Sequence, residues 1–246
     1  MKLIKKIKRI PKRIYREIES YIYRSGLYSN KINIMSPMET EQFLVDYDES
    51  FCRFGDGEIA IMRGENIAFQ KYDSELAKRL KSILNAKEKG LAIGVNYAYL
   101  NPVVGMNEFT AAFLNSMAVQ RYFMINNCSK EIKYIDAGVT QLYQNYNIYD
   151  FEMHFQRMQS MFRGKDIVLV CGENVLENIK YNAFEVCNTV EYLFMPRKNA
   201  YEIYNVILEK VLSTDPKKIV CAILGPTAKV LVYDLHKQGR IAWDII

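Results

Sequence analysis

A chain of 246 residues, half of them hydrophobic, is long enough for one large domain or a domain with an appendage, and its six prolines and twelve glycines exclude a low-complexity or disordered chain. The formal charge of +5 is concentrated at the start: residues 1–25 hold nine Lys or Arg against two Glu, a net +7, so the remainder carries −2. A near-neutral body excludes a nucleic-acid-binding surface as the main function.

Residues 2–24 alternate basic and apolar positions (Leu3, Ile4, Ile7, Ile10, Ile14, Ile18, Tyr21, Ile22) at helical spacing, with Pro11 as a break. They predict a basic amphipathic arm, 1–25, suited either to an anionic membrane surface or to packing on the domain. The rest, 26–246, reads as one α/β domain. Ser36-Pro37 opens a helix that continues through Phe43, Leu44 and Tyr47. Ser50-Phe51-Cys52-Arg53-Phe54 is a short strand, and Gly55-Asp56-Gly57-Glu58 is its exit.

That exit carries the chemistry. If the backbone stays extended through Gly57, Asp56 and Glu58 point the same way and can share one hard cation, which favours oxygen ligands and brings a substrate phosphate with it. Gly55 and Gly57 let a ligand approach the backbone, and Arg53 supplies a cation for a phosphate or for one of the acids. The competing reading of Asp-x-Glu is a tight turn with solvated acids.

Asp73 and Ser74 cap an amphipathic helix over 73–85, and Phe69-Gln70-Lys71-Tyr72 before it either lines a base or sugar pocket or only caps that helix. Leu91–Val95 is a buried strand, 107–126 a helical region, 132–138 a strand leaving into a loop, and 150–162 a helix. Asp166–Gly172 and Lys218–Gly225 are continuous β-branched apolar runs ending in glycine, the pattern of strands buried on both faces of a parallel sheet. Tyr192–Pro196 lies between them, followed by a helix over 199–212. Strand, loop and helix repeated in this way predict a Rossmann-like fold, a mostly parallel sheet flanked by helices, with ligands at the carboxyl ends of the strands. Gly225-Pro226-Thr227 turns from the last apolar strand into a helix whose N-terminus suits a diphosphate, although it is neither a Walker loop nor G-x-G-x-x-G. Pro196-Arg197-Lys198-Asn199 either places a cation on the same edge or forms a solvated loop. His154 and His236 read as surface or helix histidines rather than zinc ligands. Five cysteines without C-x-x-C spacing read as reduced, mostly buried thiols of a cytoplasmic protein. No apolar run approaches the roughly 20 residues of a membrane span.

Arg53-Phe54-Gly55-Asp56-Gly57-Glu58, then Phe69-Gln70 and Tyr72-Asp73, then Pro196 with Lys198-Asn199-Ala200-Tyr201, then Leu224-Gly225-Pro226-Thr227-Ala228 with Tyr233-Asp234-Leu235 and Gln238-Gly239, stand in this order. The ordered set resembles the bacterial glycosyltransferases of the GT-D fold, once called domain of unknown function 1792, over about residues 36 to 244. The resemblance implies a nucleotide-sugar-dependent hexosyltransferase with a UDP-sugar donor, a divalent metal (manganese, or magnesium) at Asp56 and Glu58, and a glycan or glycoprotein acceptor in surface polysaccharide or glycoprotein biosynthesis. Under it, Asp56, Glu58 and Arg53 are the catalytic set, and Gly55, Gly57, Gln70, Tyr72, Lys198, Gly225, Pro226 and Thr227 contact the donor. Two departures stand out. Gly172-Glu173-Asn174 replaces a Ser-Arg-x-Gly-x-Gly-Asn-type loop, and Asp244-Ile245-Ile246 lacks the Gly-His that usually follows. The second departure supports an alternative, a non-catalytic sugar-nucleotide-binding or scaffold subunit of a surface-glycan complex, peripheral at the inner face of the membrane.

Overall fold

The computed structural model describes residues 11–25, 32–101, 105–177 and 179–245. Within them eight strands form one sheet, and every pairing is parallel. The strands are β1 (Asn33–Ile34), β2 (Ser50–Phe54), β3 (Leu91–Val95), β4 (Lys133–Asp136), β5 (Asp166–Gly172), β6 (Thr189–Met195), β7 (Ile219–Ile223) and β8 (Ala242–Asp244), and their order across the sheet is β1-β4-β3-β2-β8-β7-β5-β6. The helices are α1 (Lys12–Arg24), α2 (Pro37–Val45), α3 (Asp56–Met62), α4 (Ser74–Ile83), α5 (Tyr97–Leu100), α6 (Glu108–Asn115), α7 (Ala118–Asn127), α8 (Leu142–Asn145), α9 (Phe151–Phe162), α10 (Tyr204–Leu212) and α11 (Pro226–Lys237).

The period-two alternation of the strands sorts side chains onto two faces. Cys52, Phe54, Val168, Val170, Val220, Ala222 and Ala242 enter the core under α3, α4, α10 and α11. Phe51, Ile167, Leu169, Cys171, Ile219, Cys221 and Trp243 enter the core that α2 and α9 also border. Trp243 anchors the second core: it stacks on Phe51 at 5.8 Å, meets Phe162 edge-on at 5.6 Å and donates its indole N–H to the Glu49 carbonyl at 2.8 Å.

Most expected elements are present, with corrections. Of the expected arm, α1 follows Pro11; residues 1–10, and with them the expected break at Pro11, lie outside the described residues. Ser36 caps α2, accepting from the Glu39 N–H while Glu39 accepts from the Ser36 N–H at 2.8 Å. The helical region 107–126 is two helices, α6 and α7, because the backbone turns at Ser116-Met117. The helix expected from 199 begins as a 3₁₀ turn, Ala200–Ile203, because Asn199 is left-handed (φ 53°). β6 starts three residues earlier than its apolar run. The sheet is parallel throughout rather than mostly so.

The connectivity creates a switch point. From β2 the chain steps outward through β3 to β4, whereas β5, β6 and β7 lie on the other side, and β8 closes the gap between β2 and β7. The loops after β2 and β7 therefore diverge, which is where ligands bind in sheets of this kind.

Candidate active site

A cleft of about 520 Å³ lies at this switch point. Gly55, Gly138, Gly172 and Gly225, the exits of β2, β4, β5 and β7, all line it, so the strand ends expected to share one edge do so.

The Asp-x-Glu exit departs from expectation in one respect. Its backbone is helical, not extended: α3 begins at Asp56, and Gly55 is its N-cap residue. In a helix, residues two apart point to different sides, so the two carboxylates separate. Glu58 turns back and accepts the Gly55 N–H at 2.8 Å, a glutamate at the third helical position satisfying an orphan donor. Asp56 stays exposed on the cleft wall.

Behind Glu58 is a buried charge cluster that the sequence reading did not contain. Lys229 of α11 is 3 % exposed, and its ammonium lies 2.9 Å from Glu58 Oε1 and 3.1 Å from Asp244 Oδ2. Burial works to lower the Lys229 pKa, but Asp244 and Glu58 outweigh it and raise it above the ordinary lysine value, so the side chain stays charged. Asp244, 0 % exposed at the end of β8, also accepts the Arg53 N–H at 2.8 Å, while its Oδ1 has no partner among the described residues. The Arg53 guanidinium is anchored too: Nε donates to the Asp244 carbonyl at 2.9 Å, and Nη1 donates to the Ala137 carbonyl at 3.1 Å and to Thr140 Oγ1 at 2.8 Å. Two cations and two carboxylates thus tie β2, α3, α11 and β8 together under the cleft.

Gly225 shapes the opposite wall. Its backbone (φ 54°, ψ −135°) is one that L side chains rarely adopt, and an added Cβ would stand 2.6 Å from Phe69 Cε2. Phe69 is held there by its loop, for Asn199 donates its N–H to the Phe69 carbonyl at 2.8 Å and accepts the Lys71 N–H on Oδ1 at 2.9 Å. Replacing Gly225 by alanine is expected to cost about 1–3 kcal/mol of stability and to displace Phe69. Denaturant unfolding checks the first effect, and an unchanged stability would contradict the strain.

Asp136 ends β4, lines the cleft and is buried. Burial pushes its pKa up to about 6, only partly offset by the Tyr97 and Gly138 N–H groups and by Arg53. A carboxyl whose folded pKa is raised favours folding most below its unfolded value near 4 and loses that contribution as pH rises through about 6. The loss is about 3 kcal/mol at about 1.4 kcal/mol per unit. Asp136→Asn keeps an acceptor for Tyr97 but cannot ionise. The wild-type stability, measured against the variant by urea unfolding, is therefore expected to fall by about that amount between pH 4 and 7. Parallel pH curves would refute it.

The other expected donor contacts divide. Arg53, Gly55, Asp56, Gly57, Glu58 and Gly225 line the cleft. Gln70 does not: it is buried, with Nε2 donating to the Lys71 carbonyl at 3.0 Å. Tyr72 lies in a separate shallow depression with Met62, Gly64 and Lys78. Lys198 is exposed outside the cleft, and its neighbours Pro196 and Arg197 line it instead. Pro226 and Thr227 are buried, and Thr227 Oγ1 has no partner among the described residues. Lys229 and Asp136 were the residues missed.

A family model described as the glycosyltransferase GT-D fold matches residues 51–246. Among curated proteins, a "probable glycosyl transferase Gly" of Streptococcus gordonii is 25% identical over 225 residues, covering 87% of this chain and 32% of that protein. A "glycosyltransferase GlyD" of Streptococcus pneumoniae serotype 4 is 22% identical over 244 residues, covering 96% of this chain and 29% of that protein. The chain thus spans about a third of the length of these relatives. A solved structure of the domain of unknown function 1792, described as having a distinct glycosyltransferase fold, superposes with a TM-score of 0.81 at 26% identity, covering 95% of this chain and 81% of that one. Another, described as a new glycosyltransferase from Streptococcus sanguinis, superposes at 0.80 with 24% identity, covering 87% and 81%.

Proposed function

This chain belongs to the glycosyltransferase GT-D fold family, and on that premise we propose that it moves a hexose from a UDP-sugar to a glycan or glycoprotein acceptor in the assembly of surface polysaccharide or glycoprotein. The observation that carries the reading is the cleft at the switch point, with Asp56 open on one wall and the α11 N-terminus on the other.

A divalent cation, manganese or magnesium, would meet Asp56, the exposed carboxylate on the cleft wall; Glu58 points to another side of α3, with its oxygens engaged by the Gly55 N–H and Lys229, and supports the site from behind. Among the described residues no three His, Cys, Asp or Glu are grouped to hold a metal alone, so the remaining positions fall to donor phosphate and water. When bound, the cation acts as a Lewis acid on the leaving diphosphate. The protein's own part is orientation. Gly225 brings backbone close to the ligand, the α11 N-terminus favours the negative diphosphate, and Arg197 adds an exposed cation where Arg53 and Lys229 are already committed. Phe69 offers a flat face on which the base stacks. Asp136, poised near neutrality by burial, is the group placed to take the acceptor proton. The basic arm completes the reading: α1 exposes Ile14, Ile18 and Tyr21, a surface that with its lysines and arginines suits an anionic bilayer.

Calorimetric titration of UDP into the protein, with and without manganese, tests the reading. Tight binding only with the metal is the expected result. Metal-independent binding would remove the cation from the site, and no binding in either case would favour a non-catalytic subunit.

A further inference from the structure

A second cavity, of about 420 Å³, opens beside the cleft and shares Thr140, Val175 and Ile223 with it. Its walls are aromatic and apolar. Phe151 and Phe155 of α9 lie 4.6 and 5.6 Å from Tyr181, and Tyr143 meets Phe151 edge-on at 5.1 Å. Thr140, Tyr143, Lys180 and Tyr181 also bring polar groups to the lining, and one buried polar side chain stands among them. His154 is 2 % exposed, lines the cavity, and has no partner for Nε2 among the described residues.

The other face of the imidazole explains its state. Nδ1 lies 2.8 Å from Glu41 Oε1, and Glu41, 0 % exposed, is also bridged by Arg157. Burial works to raise the Glu41 pKa, but the hydrogen bonds from His154 and Arg157 outweigh it and hold the group below its usual value, so it is an acceptor. With the carboxylate as acceptor, Nδ1 carries the proton of that hydrogen bond, and Nε2 is the ring nitrogen without a partner among the described residues. A buried polar atom without a partner costs about 1–3 kcal/mol, and no described residue bonds to this one.

We propose that this cavity binds the apolar, hydroxyl-bearing ring of the acceptor's aglycone, with His154 Nε2 accepting the ring hydroxyl. The assignment to the acceptor rests on the glycosyltransferase reading. The shared wall then lets the acceptor's sugar reach into the cleft while its aglycone stays outside the donor site. Aromatic walls with a few polar groups make a small-molecule site selective for an amphiphile rather than a free sugar.

Trp243, the chain's single tryptophan, meets Phe162 of the cavity wall, so its emission reports occupancy. The probes are para-propylphenol and para-propylanisole, which differ in the hydroxyl proton. The phenol is expected to bind saturably and about ten-fold more tightly than the anisole, the effect of one hydrogen bond to a buried acceptor. Ile179→Asp, at an exposed wall residue that leaves the core untouched, is expected to weaken both probes several-fold. His154→Phe, where it folds, erases the difference between them. No saturable change, equal affinities on the wild type, or full binding by Ile179→Asp would each overturn the site. In a transfer assay the phenol is expected to raise the KM of the acceptor and not that of the sugar nucleotide; the reverse would overturn the acceptor assignment. Saturable hydroxyl-dependent binding in a protein that transfers from no sugar nucleotide would keep the cavity and overturn the enzymatic reading instead.

Discussion

Replacing Lys229 by methionine is expected to lower the unfolding free energy by about 3–5 kcal/mol at pH 7, the loss typical of a buried ion pair deprived of one partner. Methionine keeps the apolar stem and most of its packing, so the effect isolates the ammonium. Without it, Glu58 Oε1 and Asp244 Oδ2 lose the ammonium between them, and Asp244 already carries one oxygen without a partner among the described residues. Arg53 remains, but its side chain reaches the Asp244 carbonyl rather than the carboxylate. Burial, which already raises the Asp244 pKa, then acts without the offset from Lys229 and favours the neutral carboxyl. The sign follows: a group whose folded pKa rises contributes stability at low pH and loses it on the way up, so the gap between variant and wild type narrows as pH falls. Denaturant unfolding at two pH values checks both statements. A loss below about 1 kcal/mol at pH 7 would mean that the carboxylates find water, and the cluster would then not be the joint between α11 and β8 described above.

Asp56→Asn is expected to do the opposite: to leave stability within about 0.5 kcal/mol of wild type, as an exposed polar change does, and to reduce transfer by at least about a hundred-fold. The magnitude comes from what a cation supplies to a leaving diphosphate, several kcal/mol, at about 1.4 kcal/mol per factor of ten. Asp56 is at the first position of α3, exposed, and has no hydrogen bond or ion pair among the described residues, so the substitution leaves the packing in place. UDP affinity measured with manganese should fall in parallel, and affinity without metal should not. Full transfer by this variant would refute the assignment of Asp56. The contrast with Lys229 separates the two layers of the site, one holding the fold and one meeting the ligand.

Which parts of this were legible in the sequence follows from how each signal is built. β5 and β7 are long apolar runs, and such runs have few alternatives. β8 is three residues, Ala242–Asp244, too short to carry a periodicity of its own, yet it occupies the centre of the sheet. Asp56 and Glu58 stood out because an acid between two glycines with a second acid after it is conspicuous. Their helical geometry was missed because the N-cap is a glycine, so the Ser/Thr that advertises a capping box is absent, and only the Glu58 half remains. Lys229 had a readable trace. Pro226 to Val232 is apolar or small apart from Thr227 and Lys229, and a lysine on a helix buried all round must have a partner. The partner, however, is Asp244, and nothing local joins the two. Lys198 was favoured over Arg197 because residue type cannot tell which of two adjacent cations faces inward.

The placement of β8 has a consequence for how the molecule is made. Synthesis delivers β1 to β4 first and β5 to β7 next, and the strand that joins these two groups emerges from the ribosome after all of them. Until residues 242–244 arrive, Phe51 lacks the Trp243 ring it stacks on, and both β2 and β7 present open edges of the kind that invite pairing with other chains. A nascent chain halted before Ile241 is therefore two half-sheets with exposed inner margins. Folding becomes cooperative across the whole domain only once residues 242–244 have emerged, so a pause between β7 and β8 leaves two open strand edges exposed to aggregation.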